Sequence, residues 1–93
     1  MKDLVTISEL IELVRKQQPE RQDIITALTK IVGGYWENKA YFRIVNSDNA
    51  NKLGAEWQFD ETIILKHEKI GTIIKDYLKD KRIGGIEFYK LID

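Results

Sequence analysis

Residues 31–45, IVGGYWENKAYFRIV, decide how this chain is read. Up to Gly33 the apolar residues recur at intervals of three and four; beyond Gly34 they recur at every second position. Ala40, Phe42 and Ile44 alternate with Tyr41, Arg43 and Val45, which are the two faces of a pleated strand. Glu37-Asn38 fits a tight turn between a short Tyr35-Trp36 strand and this one. Gly33 suits the left-handed residue that closes a helix. The stretch therefore predicts helices before Gly34 and a sheet after it.

Working back toward the N-terminus, Thr6-Ile7-Ser8-Glu9 matches a capping box, with the Thr6 hydroxyl and the Glu9 carboxylate each serving the other's backbone N–H. Ile7, Leu10, Ile11 and Val14 then form one apolar stripe, and Arg15 and Lys16 suit the negative end of the helix dipole. Pro19, followed by Glu20 and Asp23, predicts the start of a second helix, with Ile24, Ile25, Leu28, Ile31 and Val32 on its buried side. So short a connection makes the two helices a hairpin.

Working forward, the run Asn46-Ser47-Asp48-Asn49-Ala50-Asn51 is turn composition, closed by Gly54. Ala55, Trp57 and Phe59 alternate with Glu56, Gln58 and Asp60 and predict a half-buried strand; Thr62 to Lys66 predicts another. Ile70, Ile73, Ile74, Tyr77 and Leu78 fall at i, i+3, i+4, i+7 and i+8, so the spacing predicts a third helix from about His67 to Lys79. Gly84-Gly85 reads as a break. Ile86 to Ile92 returns to alternation, with Ile86, Phe88 and Ile92 on one face and Tyr89 and Leu91 on the other. The expected fold is α+β, a two-layer sandwich in the order α-α-β-β-β-α-β, with a mostly antiparallel sheet carrying the helices on one face.

Length and composition agree with one domain spanning residues 1–93. The chain is 43% hydrophobic and 32% charged, ordinary for a folded protein. It has no Cys and a single His, so it has no disulfides and no thiolate metal site, and a reducing cytoplasm is the expected compartment. Glu9 and Glu12 interrupt any N-terminal leader-like apolar run, and no stretch approaches the roughly 20 apolar residues that cross a bilayer. Fifteen positive and fifteen negative charges balance, also locally, whereas general nucleic-acid binders usually carry a basic excess.

Catalytic chemistry is sparse. His67 as a general base would need a carboxylate, with Glu61 or Glu68 nearest in sequence; as a plain polar residue at an element junction it would satisfy an orphan backbone N–H. Ser8 is committed to the first helix and Ser47 to a turn. Asp60 and Glu61 point to opposite faces of an extended strand. The 46–51 loop holds one carboxylate and lacks the spacing of a calcium loop. Neither Gly33-Gly34 nor Gly84-Gly85 has phosphate-loop spacing. No catalytic residue, cofactor or metal site is expected.

Two constellations remain. Tyr35, Trp36 and Tyr41, with Arg43 as a polar contact, would form an exposed aromatic patch if they share the outer sheet face, while Phe42, Trp57 and Phe59 fill the core. Lys75, Lys79, Lys81 and Arg82, with Lys66 and Lys69 upstream, would form a basic ridge on the third helix, although Asp76 and Asp80 dilute it. The expected α-β-β-β-α order from about Pro19 to Lys79 is similar to that of double-stranded-RNA-binding domains. That family opens its last helix with a Lys-Lys-x-Ala-Lys run; here His67-Glu68-Lys69-Ile70-Gly71 stands instead, and no functional residue carries over. The functional expectation is a small cytoplasmic protein-interaction module, of an inhibitor or accessory kind and without catalytic activity, binding a protein partner or a second copy of itself through Tyr35, Trp36, Tyr41 and Arg43. The alternative is nucleic-acid binding through Lys39, Tyr41, Arg43, Lys75, Lys79, Lys81 and Arg82. No membrane association is expected.

Overall fold

The computed structural model describes residues 4–91, and its first helix starts where Thr6 caps it. The Glu9 N–H donates to the Thr6 hydroxyl at 3.1 Å, and the Thr6 N–H donates to the Glu9 carboxylate at 3.3 Å. Helix α1 runs Ile7–Gln17 and buries Leu10 and Val14. Helix α2 runs Gln22–Thr29 and buries Ile24, Ile25, Ala27 and Leu28. It begins three residues beyond Pro19 and ends before Ile31 and Val32, which leaves Val32 exposed rather than on the expected stripe. Lys30 takes the C-cap position, so Gly33 turns the chain after the helix rather than closing it. At Gly34 (φ +110°) the requirement for glycine is steric as well, since a Cβ there would meet the Phe42 ring at 2.5 Å.

Beyond Gly34 come five strands: β1 Tyr35–Trp36, β2 Tyr41–Arg43, β3 Phe59–His67, β4 Gly71–Leu78 and β5 Ile83–Phe88, followed by a short 3₁₀ turn at Tyr89–Leu91. The described residues thus form an α+β fold with two helices and a five-stranded antiparallel sheet of order β1-β2-β5-β4-β3. The C-terminal strand fills the gap between β2 and β4. The β1–β2 turn is held by Asn38, whose Oδ1 accepts from the N–H groups of Ala40 (2.8 Å) and Tyr41 (2.9 Å).

The third helix expected from His67 to Lys79 does not form; most of that segment is β4. Ile73, Lys75 and Tyr77 point to one side of β4, and Thr72, Ile74 and Asp76 to the other. The helical spacing arose because Lys75 occupies a core position, so the apolar alternation that would mark a strand is interrupted by a cation. The β-branched run Thr72-Ile73-Ile74 and Gly71 at φ +84° both favour the hairpin that forms. With that helix absent, the likeness in element order to double-stranded-RNA-binding domains also lapses.

Four further expectations are corrected. Residues 55–58 are not a strand but the end of a long loop over 44–58, in which Asn49 and Asn51 take positive φ and the Asn51 side chain accepts from the Phe59 N–H at 2.8 Å. Phe59 is exposed at the start of β3, while Trp57 is buried against Val45 and Leu78 and Phe42 is half-buried. Gly84-Gly85 does not break the chain but lies inside β5, where the β4 register slips between Asp76 and Tyr77. Ile92, assigned with Ile86 and Phe88 to one face, lies outside the described residues, and Tyr89 and Leu91 fall in the 3₁₀ turn rather than on the strand.

The main core joins Leu10, Val14, Ile24, Ile25 and Leu28 of the helices to Ile63, Leu65, Ile73, Tyr77, Ile83, Ile86 and Phe88 of the sheet. Burying such side chains contributes about 1.5–3 kcal/mol each and drives the helices onto that face. The free edge of β3 is closed by side chains. The Gln17 amide donates to the Lys66 carbonyl at 2.6 Å and accepts from the Lys66 N–H at 2.8 Å, and Gln18 donates to the Ile64 carbonyl at 3.1 Å.

Candidate functional site

The pairing register sorts every strand residue by face. Ile63, Lys75 and Ile86 form a row on the core face, with Phe42 extending it onto β2 and Trp36 onto β1. The opposite face carries the row Tyr41, Glu87, Ile74 and Ile64, and beside it the row Tyr35, Arg43, Gly85, Asp76 and Thr62. Tyr35, Tyr41 and Arg43 therefore share a face, but Trp36 leaves the group. It lies over the core side at 39% exposure, edge-on to Phe42 (centroids 5.4 Å apart) and 5.6 Å from Phe88.

The Tyr41–Arg43 region is locked by its neighbours. Gly85 has no side chain, and the Tyr41 ring crosses β5 through that space; a Cβ at Gly85 would stand 2.0 Å from the Tyr41 hydroxyl. The hydroxyl donates to Asp76 at 2.6 Å on the next strand. Burial first, then the Asp76 carboxylate, pushes the Tyr41 phenol well above its ordinary range, so it stays a neutral donor. Arg43 lies 4.7 Å from the Tyr41 ring centroid and 5.1 Å from that of Trp57, and it donates to both oxygens of Glu37 at 2.9 Å. The bond to Glu37 raises the Arg43 pKa, and the same bond lowers that of Glu37. Arg43 is thus a fixed strut of the face rather than a reaching contact. Gly84 makes the matching allowance for Trp57, whose ring would meet a Cβ there at 2.4 Å.

The exposed residues of this face include Tyr35, at 59%, Ile64, at 48%, and Thr62, with Ile74 and Glu87 half-buried between strands. Lys66 and Thr72 continue it, joined by a 2.9 Å hydrogen bond. Sequence reasoning missed Ile64, Ile74, Asp76 and Glu87 as members, because reading residues 67–79 as a helix gave Ile74 to a helix core. The signal for them was the β-branched run itself.

The basic residues do not form one surface. Lys75 is in the core. Lys79, Lys81 and Arg82 lie in the β4–β5 turn, where Arg82 is held by Asp80 (2.7 Å) and Glu56 (2.8 Å). Lys39 belongs to the β1–β2 turn, which joins the sheet at the Glu87 end of β5, whereas the β4–β5 turn joins it at the Ile83 end.

His67 ends β3 beside α1, in a shallow groove of about 660 Å³. Its Nδ1 accepts from the N–H groups of Lys69 (3.0 Å) and Ile70 (3.1 Å), so the ring's lone pair is spent on capping the hairpin turn. The carboxylate near Nε2 is Glu9, at 3.6 Å, rather than Glu61 or Glu68. Glu61 pairs instead with Arg21, which also holds Asp23 at 3.0 Å; these partners raise the Arg21 pKa, and Arg21 lowers that of Asp23. Among the described residues no group of three or more His, Asp or Glu side chains is placed to hold a metal ion. No helix of the described residues is long and apolar enough to cross a membrane.

Comparison of this chain with protein-family models, with curated proteins and with solved structures gives no match. The geometry of the open sheet face is therefore what any functional reading rests on.

Proposed function

We propose that this chain is a small protein-interaction module without catalysis of its own, built as two layers, in which the helices cover one sheet face and a protein partner covers the other. The observation that carries this reading is the row Tyr41–Glu87–Ile74–Ile64 beside exposed Tyr35. Apolar and aromatic groups there sit on a sheet held rigid by the Tyr41–Asp76 and Arg43–Glu37 bonds. Rigid aromatic anchors with few rotamers to lose are what interface hot spots use.

The chemistry of the face selects the partner. Glu37, Asp76 and Glu87 outnumber Arg43 and Lys66, so the complementary surface carries an apolar side chain flanked by a Lys or Arg that faces Glu87. The acidic excess of the face favours a more basic protein over a second copy of this chain. Nucleic acid is the weaker reading, because Lys75 is buried, Arg82 is paired with two carboxylates and the remaining turn lysines lie at opposite ends of β5.

The test uses Ile64→Glu and Tyr35→Ala as baits beside the unaltered chain, with light scattering for self-association. A partner retained by the unaltered chain and lost by both variants, all three melting within a few degrees of each other, is the expected result. A partner retained equally by all three, or binding to single-stranded DNA at low salt, would remove the proposal.

A further inference from the structure

Lys75 occupies a core position of β4, with Ile63 and Ile86 as its cross-strand neighbours. It is 0% exposed, and its Nζ has no hydrogen-bond partner among the described residues. The helices bring apolar side chains to this face, Leu10 and Val14 from α1 and Ile24 and Leu28 from α2. Charged groups stand at its rim: Glu9 with His67 at one end, and Arg21, Asp23 and Glu61 around Tyr77 at the other. Desolvation alone lowers the Lys75 pKa to about 7. A buried amine with no partner disfavours the closed helical cover whenever it is charged.

The hydrogen bonds and ion pairs between helices and sheet gather on the edge strand β3, while on β4 Arg21 lies 5.9 Å over the Tyr77 ring. Gln17 binds the backbone of Lys66, Gln18 that of Ile64, Arg21 the Glu61 carboxylate, and Glu9 lies against His67. On the other side, α2 meets β5 through apolar residues and leaves it through Gly33 and Gly34, both at positive φ.

We propose that α1 and α2 form a lid that hinges along the β3 edge and lifts from β4 and β5 when Lys75 takes up a proton. Closed, the lysine is neutral. Open, its ammonium reaches water and an apolar sheet face with a cation at its centre is uncovered.

Amide hydrogen exchange followed by NMR on the full chain from pH 6 to pH 9 tests this. After correction for intrinsic rates, amides of α1 and α2 should open more readily than those of β4 and β5. Their opening constant should rise roughly tenfold for each pH unit lowered toward 7, then level off. In Lys75→Met that slope should vanish and the helix amides should be better protected. A single opening constant shared by helices and sheet at every pH overturns the proposal. So does a flat opening constant for the helices between pH 7 and pH 9, or a slope that survives in Lys75→Met. The pH series on the unaltered chain decides the matter even if the variant does not fold.

Discussion

Replacing Gly85 with Ala should be among the most damaging single-methyl changes in this chain. The new Cβ would stand 2.0 Å from the Tyr41 hydroxyl oxygen and 2.3 Å from the ring carbon bearing it, so the phenol must leave its place. Its bond to Asp76 is then lost, which costs about 1.5–3 kcal/mol because the acceptor is charged. Strain in a crowded site adds about 1–3 kcal/mol. Against this, alanine in a strand gains about 0.5–1 kcal/mol over glycine through the unfolded chain. The net loss is about 3 kcal/mol, a fall in Tm of roughly 15 °C for a domain of this length. Urea unfolding followed by tryptophan fluorescence measures it. The clash lies with Tyr41 specifically, so in a Tyr41→Ala background the same change should cost less than about 1 kcal/mol. Equal losses in both backgrounds would refute the account of why glycine stands there.

Two further outcomes follow from the same packing. As the pH rises from about 7 toward 10 the folded chain gives up the Lys75 proton while the unfolded chain, at its ordinary value of 10.5, still largely holds it; raising the pH should therefore stabilise the fold by about 1 kcal/mol per unit through this residue, measured as urea midpoints across the range and absent in Lys75→Met. Trp36→Ala, which removes ring contacts to Phe42 and Phe88, should lower stability by about 2 kcal/mol in the same unfolding assay; an unchanged midpoint would place Trp36 on a surface that does no packing.

What could be read from residues alone was local. The Thr6–Glu9 box, the stripe of α1, the change of period at Gly34 and the Asn-rich loop each carry their cause within a few positions, and each stands in the structure. The rest depended on partners distant in sequence. Lys75 hid a strand by placing a cation in a core row. Gly84 and Gly85 looked like a break because the rings that need their empty space, Trp57 and Tyr41, come from elsewhere in the chain. Trp36 and Tyr35 could be assigned to opposite faces by alternation, but which of them shares a face with Arg43 follows from the β1–β2 register. The candidate site was half visible: Tyr35, Tyr41 and Arg43 do adjoin, and Ile64, Ile74 and Glu87 join them only through the strand order of the sheet.

The side-chain amide of Gln17 offers Lys66 a donor and an acceptor in the geometry of a peptide group, so it serves as one rung of a sixth strand that is not there. A stray extended chain arriving at that margin finds the rung taken, and at the opposite margin it finds only the two residues of β1 to grip. Growth of the sheet from molecule to molecule is thereby discouraged at both ends.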